Sequence, residues 1–294
     1  MKFGKTFNIA LTVVIFAVMG FVLYRNISEL KGYEFSLGWG SAIVSLIFLC
    51  AFFLLFALGW RLILKELGYS LGVRKALHIK FVSDIVRFLP GKLWYFARRA
   101  QMAKKEKVPY AITVYSVLLE SLFGILASSL LFLVALLYLG SKVPSYIVLI
   151  ALCVPLLYVV MNPKTINWIV NKGLKRFGRD PMELGMSVKG LLLITLFFLF
   201  TFSLAGIGFY FMANAVYSLP VSKLPLAAAV FLGSWVIGYF GIITPAGLGV
   251  REGALSFFLS FFMPVSIAIL VSVVSRVWFM VGEGLVVVFF FRDC

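Results

Sequence analysis

The stretch Gly190–Ser222, GLLLITLFFLFTFSLAGIGFYFMANAVYSLPVS, contains no charged residue. A helix that spans a bilayer needs about 20 consecutive apolar residues, so this stretch is long enough to cross one. The rest of the chain has the same character, because 63% of its 294 residues are hydrophobic and only 13% are charged. Soluble domains carry about 25% charged residues. The composition therefore excludes a soluble enzyme, a disordered chain and a secreted disulfide scaffold, and predicts an all-α integral membrane protein.

Outward from this stretch, other apolar runs have the length of a membrane span. The six predicted full spans are Thr6–Tyr24, Phe35–Trp60, Val108–Ser141, Val143–Pro163, Gly190–Ser222 and Gly253–Phe291. The first span follows a signal-like basic start but lacks a clear small-x-small cleavage site, so we predict that it is retained. Two further segments, Arg61–Lys107 and Leu224–Val250, are each interrupted by proline and glycine. We predict that each forms a pair of short helices.

An internal repeat relates the two halves of the chain. A shift of 155 residues places Pro90 on Pro245 and Pro109 on Pro264. Each half then reads as a long helix, a short helix, a Pro-containing break, a short helix and a long helix opened by proline. Chance alignment among ten prolines is the alternative. The repeat predicts one polytopic membrane domain, 1–294, with repeat units at about 35–141 and 190–294 and with 1–34 and 142–189 outside the repeats.

The repeat has a consequence for topology. If each short-helix pair is a re-entrant hairpin, the single span Val143–Pro163 separates the two units and the second unit is inverted relative to the first. The hairpin tips would then meet near the bilayer midplane, where broken helices are tolerated only inside protein or beside water. A competing topology lets Leu224–Ile243 span fully. Hydropathy alone favours the full span, whereas the repeat favours the hairpin.

The net charge of +16 is interpreted as topology rather than as a nucleic-acid site, because the basic residues lie between apolar runs. With the N-terminus inside, either topology places 21 Lys and Arg residues on the inner side and five on the outer side. The chain is therefore predicted to be a multi-pass cell-membrane protein with a cytoplasmic N-terminus.

Charged residues inside apolar runs are costly and are therefore candidate functional residues. Glu120 aligns with the residue before Arg276, and we predict that these two charges pair across the repeat axis, either as a structural ion pair or as a relay. Arg251 and Glu252 follow the second break, in the first turn of a predicted helix, where free N–H groups favour an anion. Gly247 and Gly249 would allow close approach of the backbone. The alternative is helix capping plus a surface charge.

Basic residues also surround the first break. Arg87, Lys92, Arg98 and Arg99 would form a cationic funnel on the cytoplasmic side, or they simply follow the positive-inside rule. Asp84 precedes Arg87 by one turn, which predicts a local pair. A single histidine and three cysteines argue against a metal site, and no nucleophile triad, Walker loop or dinucleotide fingerprint is present. We therefore predict no enzyme activity and no cofactor.

Two segments carry a resemblance to a known family. Phe88-Leu-Pro-Gly-Lys92 and Thr244-Pro-Ala-Gly-Leu-Gly-Val-Arg-Glu252 resemble the lysylphosphatidylglycerol synthase transmembrane family, which includes the flippase domain of bacterial multiple peptide resistance factors. The chain departs from the family pattern at Ala246, where glycine is more usual. The resemblance covers nearly the whole chain. It implies functional roles for Pro90, Gly91, Pro245, Gly247, Gly249, Arg251 and Glu252.

The resemblance and the charges together predict flippase-like movement of an anionic or aminoacylated phospholipid, or of a polyprenyl-phosphate lipid. No soluble synthase or ATPase domain accompanies the membrane region in this chain. The alternatives are a secondary transporter of a small soluble solute and a non-transporting partner of a lipid-linked glycan enzyme. Membrane lipids are the predicted partners, and a lipid-modifying enzyme or a second copy of the chain stays open.

Overall fold

A computed structural model describes residues 38–85, 94–139, 157, 162–176, 185–240 and 249–291. Every long regular element in these ranges is an α-helix, and the ranges contain no β-strand. Helices satisfy their own backbone hydrogen bonds, which is the requirement that lipid imposes on a spanning segment. The all-helical prediction is therefore confirmed for the described residues.

The described helices occur in an order that is repeated. A first group contains α1 (Trp39–Glu66), α2 (Val73–Ile85), α3 (Trp94–Lys105) and α4 (Tyr110–Leu139). After α5 (Pro163–Arg176), a second group contains α6 (Val188–Val216), α7 (Leu224–Phe240), α8 (Val250–Leu259) and α9 (Val265–Phe291). A short 3₁₀ turn, Val221–Lys223, leads into α7. Each group thus begins and ends with a long helix and has two shorter helices between them.

A proline precedes the last long helix of each group. The carbonyl of Pro109 accepts from the N–H of Thr113 over 3.0 Å, and the carbonyl of Pro264 accepts from Ala268 over 2.8 Å. Each proline therefore stands one residue before its helix, where its missing N–H costs nothing. This is the position that the aligned proline pair predicts.

Five of the described helices are long and apolar enough to cross a membrane. They are Trp39–Glu66, Tyr110–Leu133, Val188–Val216, Val221–Tyr239 and Val265–Phe289. The predicted span Thr6–Tyr24 and most of the predicted span Val143–Pro163 lie outside the described residues. The number of six spans therefore stays a prediction, while a membrane protein with several helical spans is established.

The two shorter helices of each group pack against each other, α2 on α3 and α7 on α8. Helix α2 has 13 residues and α3 has 12. At 1.5 Å per residue each is about 20 Å long, which is shorter than the roughly 30 Å hydrocarbon core. Helix α7 has the length and composition of a span. The linking segments 86–93 and 241–248, which contain Pro90 and Pro245, lie outside the described residues.

Close contacts divide the described residues into two compact units. Unit I contains 38–49, 131–139, 203–240 and 249–282. Unit II contains 50–85, 94–130, 157, 162–176, 185–202 and 283–291. Each of the four long helices contributes residues to both units. The two units are described separately below.

The core of unit II is aromatic and joins α1 to α6. The ring of Phe52 lies edge-on to Phe202 with centroids 5.4 Å apart, and Phe56 meets Phe198 in the same way at 5.9 Å. Edge-to-face ring pairs contribute about 0.5–1.5 kcal/mol each beyond the area that they bury. At the end of α1, Glu66 Oε1 accepts from the N–H and the hydroxyl of Ser187, both over 2.8 Å, and so caps the start of α6.

The core of unit I joins α6, α7 and α9. The rings of Phe209 and Phe231 stack with centroids 4.5 Å apart, and Phe231 meets Trp278 edge-on at 6.0 Å. The indole N–H of Trp278 donates to Ser45 Oγ over 3.1 Å, which brings α1 into the same core. Phe231 of this core also lies close to Arg251 at the start of α8.

Candidate functional site

A first group of buried charges lies in unit II, and we call it the four-charge cluster. Its members are Lys80 and Asp84 on α2, Arg99 on α3 and Glu120 on α4. Each residue is at most 9% exposed. Arg99 Nη1 donates to Glu120 Oε2 over 2.7 Å, and Arg99 Nη2 donates to Asp84 Oδ1. Lys80 Nζ lies 2.6 Å from Glu120 Oε1 and 3.3 Å from Asp84 Oδ2, as ion pairs.

Arg99 is the centre of this cluster, and all three of its side-chain nitrogens are paired. Nε donates to Ser83 Oγ over 3.0 Å, in addition to the two bonds to carboxylates. The guanidinium carbon lies 5.2 Å from the ring centroid of Trp60 and 5.9 Å from that of Tyr95. Trp60 in turn donates to Ser116 Oγ over 2.8 Å. The cluster and its aromatic neighbours therefore connect all four helices of the first group.

The four-charge cluster contains two cations and two anions and is neutral. A buried charge that keeps its partners is compensated, whereas one that loses a partner is strongly destabilising. Because the positive and negative charges balance within the cluster, it has the composition of a structural ion-pair network.

Arg98 and Arg99 both belong to the predicted cationic funnel, but only Arg98 was predicted as a site residue. Arg98 is exposed, and its nearest polar contact is Gln101 Oε1 at 3.5 Å. Arg99 shares the buried face of α3 with Ala100 and Ala103, which are fully buried. The helical spacing of these two alanines was the available signal for Arg99. Lys80 was also missed, although its i,i+4 spacing from Asp84 indicates a pair on one face of a helix.

A second group of charges lies in unit I at the start of α8, and we call it the α8 cluster. Its members are the buried Arg251 and Glu252 on α8 and Arg276 on α9, whose side chain is 26% exposed. Glu252 is 2% exposed, and both of its carboxylate oxygens are bonded. Oε2 accepts from the N–H of Gly249 and Oε1 accepts from Arg276 Nη1, each over 2.7 Å. Glu252 therefore closes the helix terminus and holds α8 against α9.

Gly249 permits this arrangement because its backbone adopts φ 84° and ψ −45°. Side chains are strained in this region, so the position favours glycine. The carbonyl of Gly249 accepts from Gly253 over 2.8 Å, which is the first bond of α8. The N–H groups of the residues between them have no acceptor within the helix, and they give this end of α8 a partial positive charge.

Arg251 is the unusual member of the α8 cluster. It is 8% exposed, and its Nε and Nη2 are buried with no hydrogen-bond partner among the described residues. Its guanidinium carbon lies 5.1 Å from the ring centroid of Phe231 and 5.5 Å from that of Phe279. A Cβ atom added to Gly238 would come within 2.8 Å of Arg251 Cβ, so α7 and α8 are in close contact at this point.

The charge on Arg251 persists in this setting. An arginine guanidinium group stays protonated in proteins, so Arg251 is charged at neutral pH. Two guanidinium groups and one carboxylate give the α8 cluster one positive charge that no carboxylate among the described residues is shown to balance. This charge distinguishes the α8 cluster from the four-charge cluster.

The structure corrects one predicted pair. Glu120 binds Lys80 and Arg99, and Arg276 binds Glu252, so the predicted partnership of Glu120 with Arg276 is wrong. Glu120 thus finds its partners within the first group of helices, and Arg276 finds its partner within the second. Asp84 pairs with Arg99 and Lys80, while its predicted partner Arg87 lies outside the described residues, so a pair between Asp84 and Arg87 stays a prediction.

Among the predicted site residues, Glu120, Gly249, Arg251, Glu252 and Arg276 lie in the two clusters. The predicted site residues that lie outside the described part of the chain are Arg87, Pro90, Gly91, Lys92, Pro245 and Gly247. Within the described ranges, no group of three or more His, Cys, Asp or Glu side chains is placed to hold a metal ion.

Several apolar helices of spanning length define this molecule as a multi-pass helical membrane protein. The sequence model of the lysylphosphatidylglycerol synthase TM region matches residues 8–280. The chain belongs to this family, which confirms the resemblance seen in the two segments that contain Pro90 and Pro245. A comparison with curated proteins finds no match.

Proposed function

We propose that the protein moves a lipid with an anionic headgroup across the cell membrane, as a flippase-like transporter with no catalytic activity of its own. The α8 cluster is the headgroup site in this proposal. The observation that carries it is the buried Arg251, whose Nε and Nη2 have no hydrogen-bond partner among the described residues. Membership of the family and several spanning helices supply the membrane setting.

The free energy of the buried charge supports this role. Removing an ion from water and leaving it without a partner costs several kcal/mol. Cation–π contacts such as those with Phe231 and Phe279 return about 0.5–2 kcal/mol each, which leaves part of the cost uncompensated. A bound anion would supply the missing partner. The first turn of α8 would strengthen its binding, because helix N-termini favour negative charge.

The arrangement of the helices supports a path beside this site. We propose that α2 with α3, and α7 with α8, are re-entrant hairpins related by an inverted repeat. The repeated order of helix lengths, the shortness of α2 and α3, and the matching positions of Pro109 and Pro264 support this view. In this proposal the N-terminus is cytoplasmic, and Arg87, Lys92 and Arg98 attract the headgroup on that side.

The test is the accessibility of lipid headgroups in sealed proteoliposomes. Fluorescent phosphatidylglycerol, phosphatidylcholine and a polyprenyl phosphate would be compared, each with and without a proton gradient. We expect protein-dependent flipping of an anionic lipid, reduced at least about tenfold in Arg251→Met, because charge-assisted hydrogen bonds are worth about 1.5–3 kcal/mol. Lys104→Met is the matched control, since Lys104 is an exposed cation on α3.

Flipping at the wild-type rate in Arg251→Met would contradict the assignment of the site. Absence of flipping of any lipid by folded wild-type protein would contradict the function. In the second case, uptake of a water-soluble solute would support a secondary transporter. Stable copurification with a lipid-modifying enzyme would instead support an accessory role.

A further inference from the structure

We infer that the exposed face of α5 (Pro163–Arg176) binds the anionic surface of the bilayer and fixes unit II to that surface. Helix α5 belongs to unit II, whereas the α8 cluster belongs to unit I. The contact is a static one, and it does not depend on which substrate the protein transports. It is supported by the way the helix begins, by the residues on its exposed face and by its charge.

Helix α5 has a start signal of its own. The side-chain oxygen of Asn162 accepts from the N–H of Lys164 over 3.0 Å and from the N–H of Thr165 over 3.3 Å, as an N-cap residue does. Pro163 occupies the first helical position, where its missing N–H costs nothing. A cap and a proline together begin a new helix at this point, so α5 is a separate element with its own orientation.

The exposed face of α5 combines an aromatic ring with lysines. Lys164, Trp168, Lys172 and Lys175 are exposed, and their spacing of three or four residues places them on one face of the helix. Ile166 is buried, at 3% exposure. Trp168 is 62% exposed, and the ammonium group of Lys172 lies 4.6 Å from the centroid of its ring. Tryptophan in this setting is typical of the boundary between water and a bilayer.

The charge of α5 is of one sign. Its sequence, PKTINWIVNKGLKR, contains four basic residues and no acidic residue. An anionic leaflet attracts each lysine or arginine near its surface by about a fivefold factor in population, and this attraction is screened by salt. A helix with several such residues on its exposed face is therefore complementary to an anionic bilayer surface.

The position and composition of α5 favour a lipid surface over an acidic protein as its partner. The helix follows the predicted span Val143–Pro163 and precedes α6, which has the length and composition of a span from Val188 onward. Membrane segments therefore flank it in the chain. Lysine is depleted in the centres of protein–protein interfaces, whereas basic residues and tryptophan are both enriched at bilayer surfaces.

The test is the rate at which a water-soluble acetylating reagent labels each lysine, measured by mass spectrometry. The full chain is placed in nanodiscs of phosphatidylcholine, with or without phosphatidylglycerol. We expect Lys164 and Lys172 to be labelled about fivefold more slowly in the anionic nanodiscs. This protection should disappear at about 1 M salt, where electrostatic attraction reaches only about 3 Å. Lys104, an exposed lysine on α3, is the internal control and should be labelled at nearly the same rate in both.

Equal labelling of Lys164 and Lys172 in the two kinds of nanodisc would overturn the inference, and equal protection of Lys104 would overturn its assignment to α5. Polyglutamate added to phosphatidylcholine nanodiscs tests the other partner class, because protection as strong as that by phosphatidylglycerol would overturn the choice of a lipid surface. Trp168→Ala should reduce the protection of Lys172 at least about twofold, since the indole ring anchors at the interface. Trp39→Ala, which removes an exposed ring from α1, should leave that protection unchanged.

Discussion

Arg99 and Arg251 occupy comparable places in the chain and meet opposite surroundings. Each lies on the second short helix of its group, and each is at most 8% exposed. Arg99 uses its three nitrogens to bind Ser83, Glu120 and Asp84. Arg251 leaves Nε and Nη2 without hydrogen bonds among the described residues. A buried arginine can thus be a structural anchor or a binding group, and the difference lies in what surrounds it.

The difference lies in the number of carboxylates around each arginine. In unit II, Asp84 and Glu120 balance Lys80 and Arg99, so the cluster is complete without a ligand. In unit I, Glu252 is committed to Arg276 and Gly249, and its oxygens do not bond to Arg251. An apolar residue in place of Arg251 would make the folded protein more stable, because a buried charge without a partner is unfavourable. The presence of arginine at this position therefore supports a role in binding a ligand.

The largest expected effect comes from breaking the four-charge cluster. Arg99→Met removes three hydrogen bonds and leaves the carboxylates of Asp84 and Glu120 with Lys80 as their one cation in the cluster. We expect a loss of about 3–5 kcal/mol in stability, because an unpaired buried charge remains. The midpoint of thermal unfolding in detergent measures it. The neighbouring Arg98→Met is the control, and an equal effect of both substitutions would contradict the anchor role.

Glu252→Gln is expected to have the next largest effect. It removes the carboxylate that binds Arg276 and caps α8, and it leaves two cations without a counter-charge in the α8 cluster. We expect a loss of about 1.5–3 kcal/mol, the range for hydrogen bonds to charged groups. Thermal unfolding with and without 1,2-diacyl phosphatidylglycerol tests the cause. Added anionic lipid should restore more stability to this variant than to the wild type, and no difference would speak against a net positive site.

Gly249→Ala tests the backbone that shapes the site. A φ of 84° is strained for alanine, and we expect a cost of about 1–3 kcal/mol together with displacement of the start of α8. Gly253→Ala is the matched control, because an added Cβ there meets no atom within 4 Å. The readouts are thermal unfolding and phosphatidylglycerol binding. Wild-type values of both in Gly249→Ala would show that this backbone geometry is unimportant.

The smallest effect on stability is expected for Arg251→Met. This substitution removes a buried charge that lacks hydrogen bonds at two nitrogens, so stability should change by less than about 1 kcal/mol or should increase. Transport and lipid binding should be lost in the same variant. A loss of stability comparable to that of Arg99→Met would mean that the two arginines do not differ in role.

Much of the fold follows from local features of the sequence. The uncharged runs predict the long helices, and the aligned prolines predict where α4 and α9 begin, because hydropathy and proline geometry act within a few residues. The position of Arg251 and Glu252 in the first turn of a helix was also predicted correctly. These features depend on neighbours in the chain and need no knowledge of tertiary contacts.

The partners of the charges were not predictable in the same way. Lys80 and Glu120 are 40 positions apart, and Arg99 is 21 from Glu120 and 15 from Asp84. Which of these side chains form ion pairs depends on how the helices cross and on the helix face that carries each charged residue. The positive-inside rule treats Arg98 and Arg99 alike, although Arg98 is exposed and Arg99 is only 1% exposed. The sequence therefore indicated which charged residues are candidates for a site. The packing of the helices decided which of them are buried and which of them pair with each other.

The sequence by itself determined that this chain is a helical membrane protein of its family, with a glycine-containing break before Arg251 and Glu252. The tertiary structure alone decided that Arg99 is fully paired and that Arg251 is buried with a free guanidinium edge. Hydropathy and helix breaks are local properties of the chain, whereas the compensation of a charge depends on which helices bring their side chains to it. For this reason the candidate binding group could be distinguished from the structural anchor only after the helices had been placed.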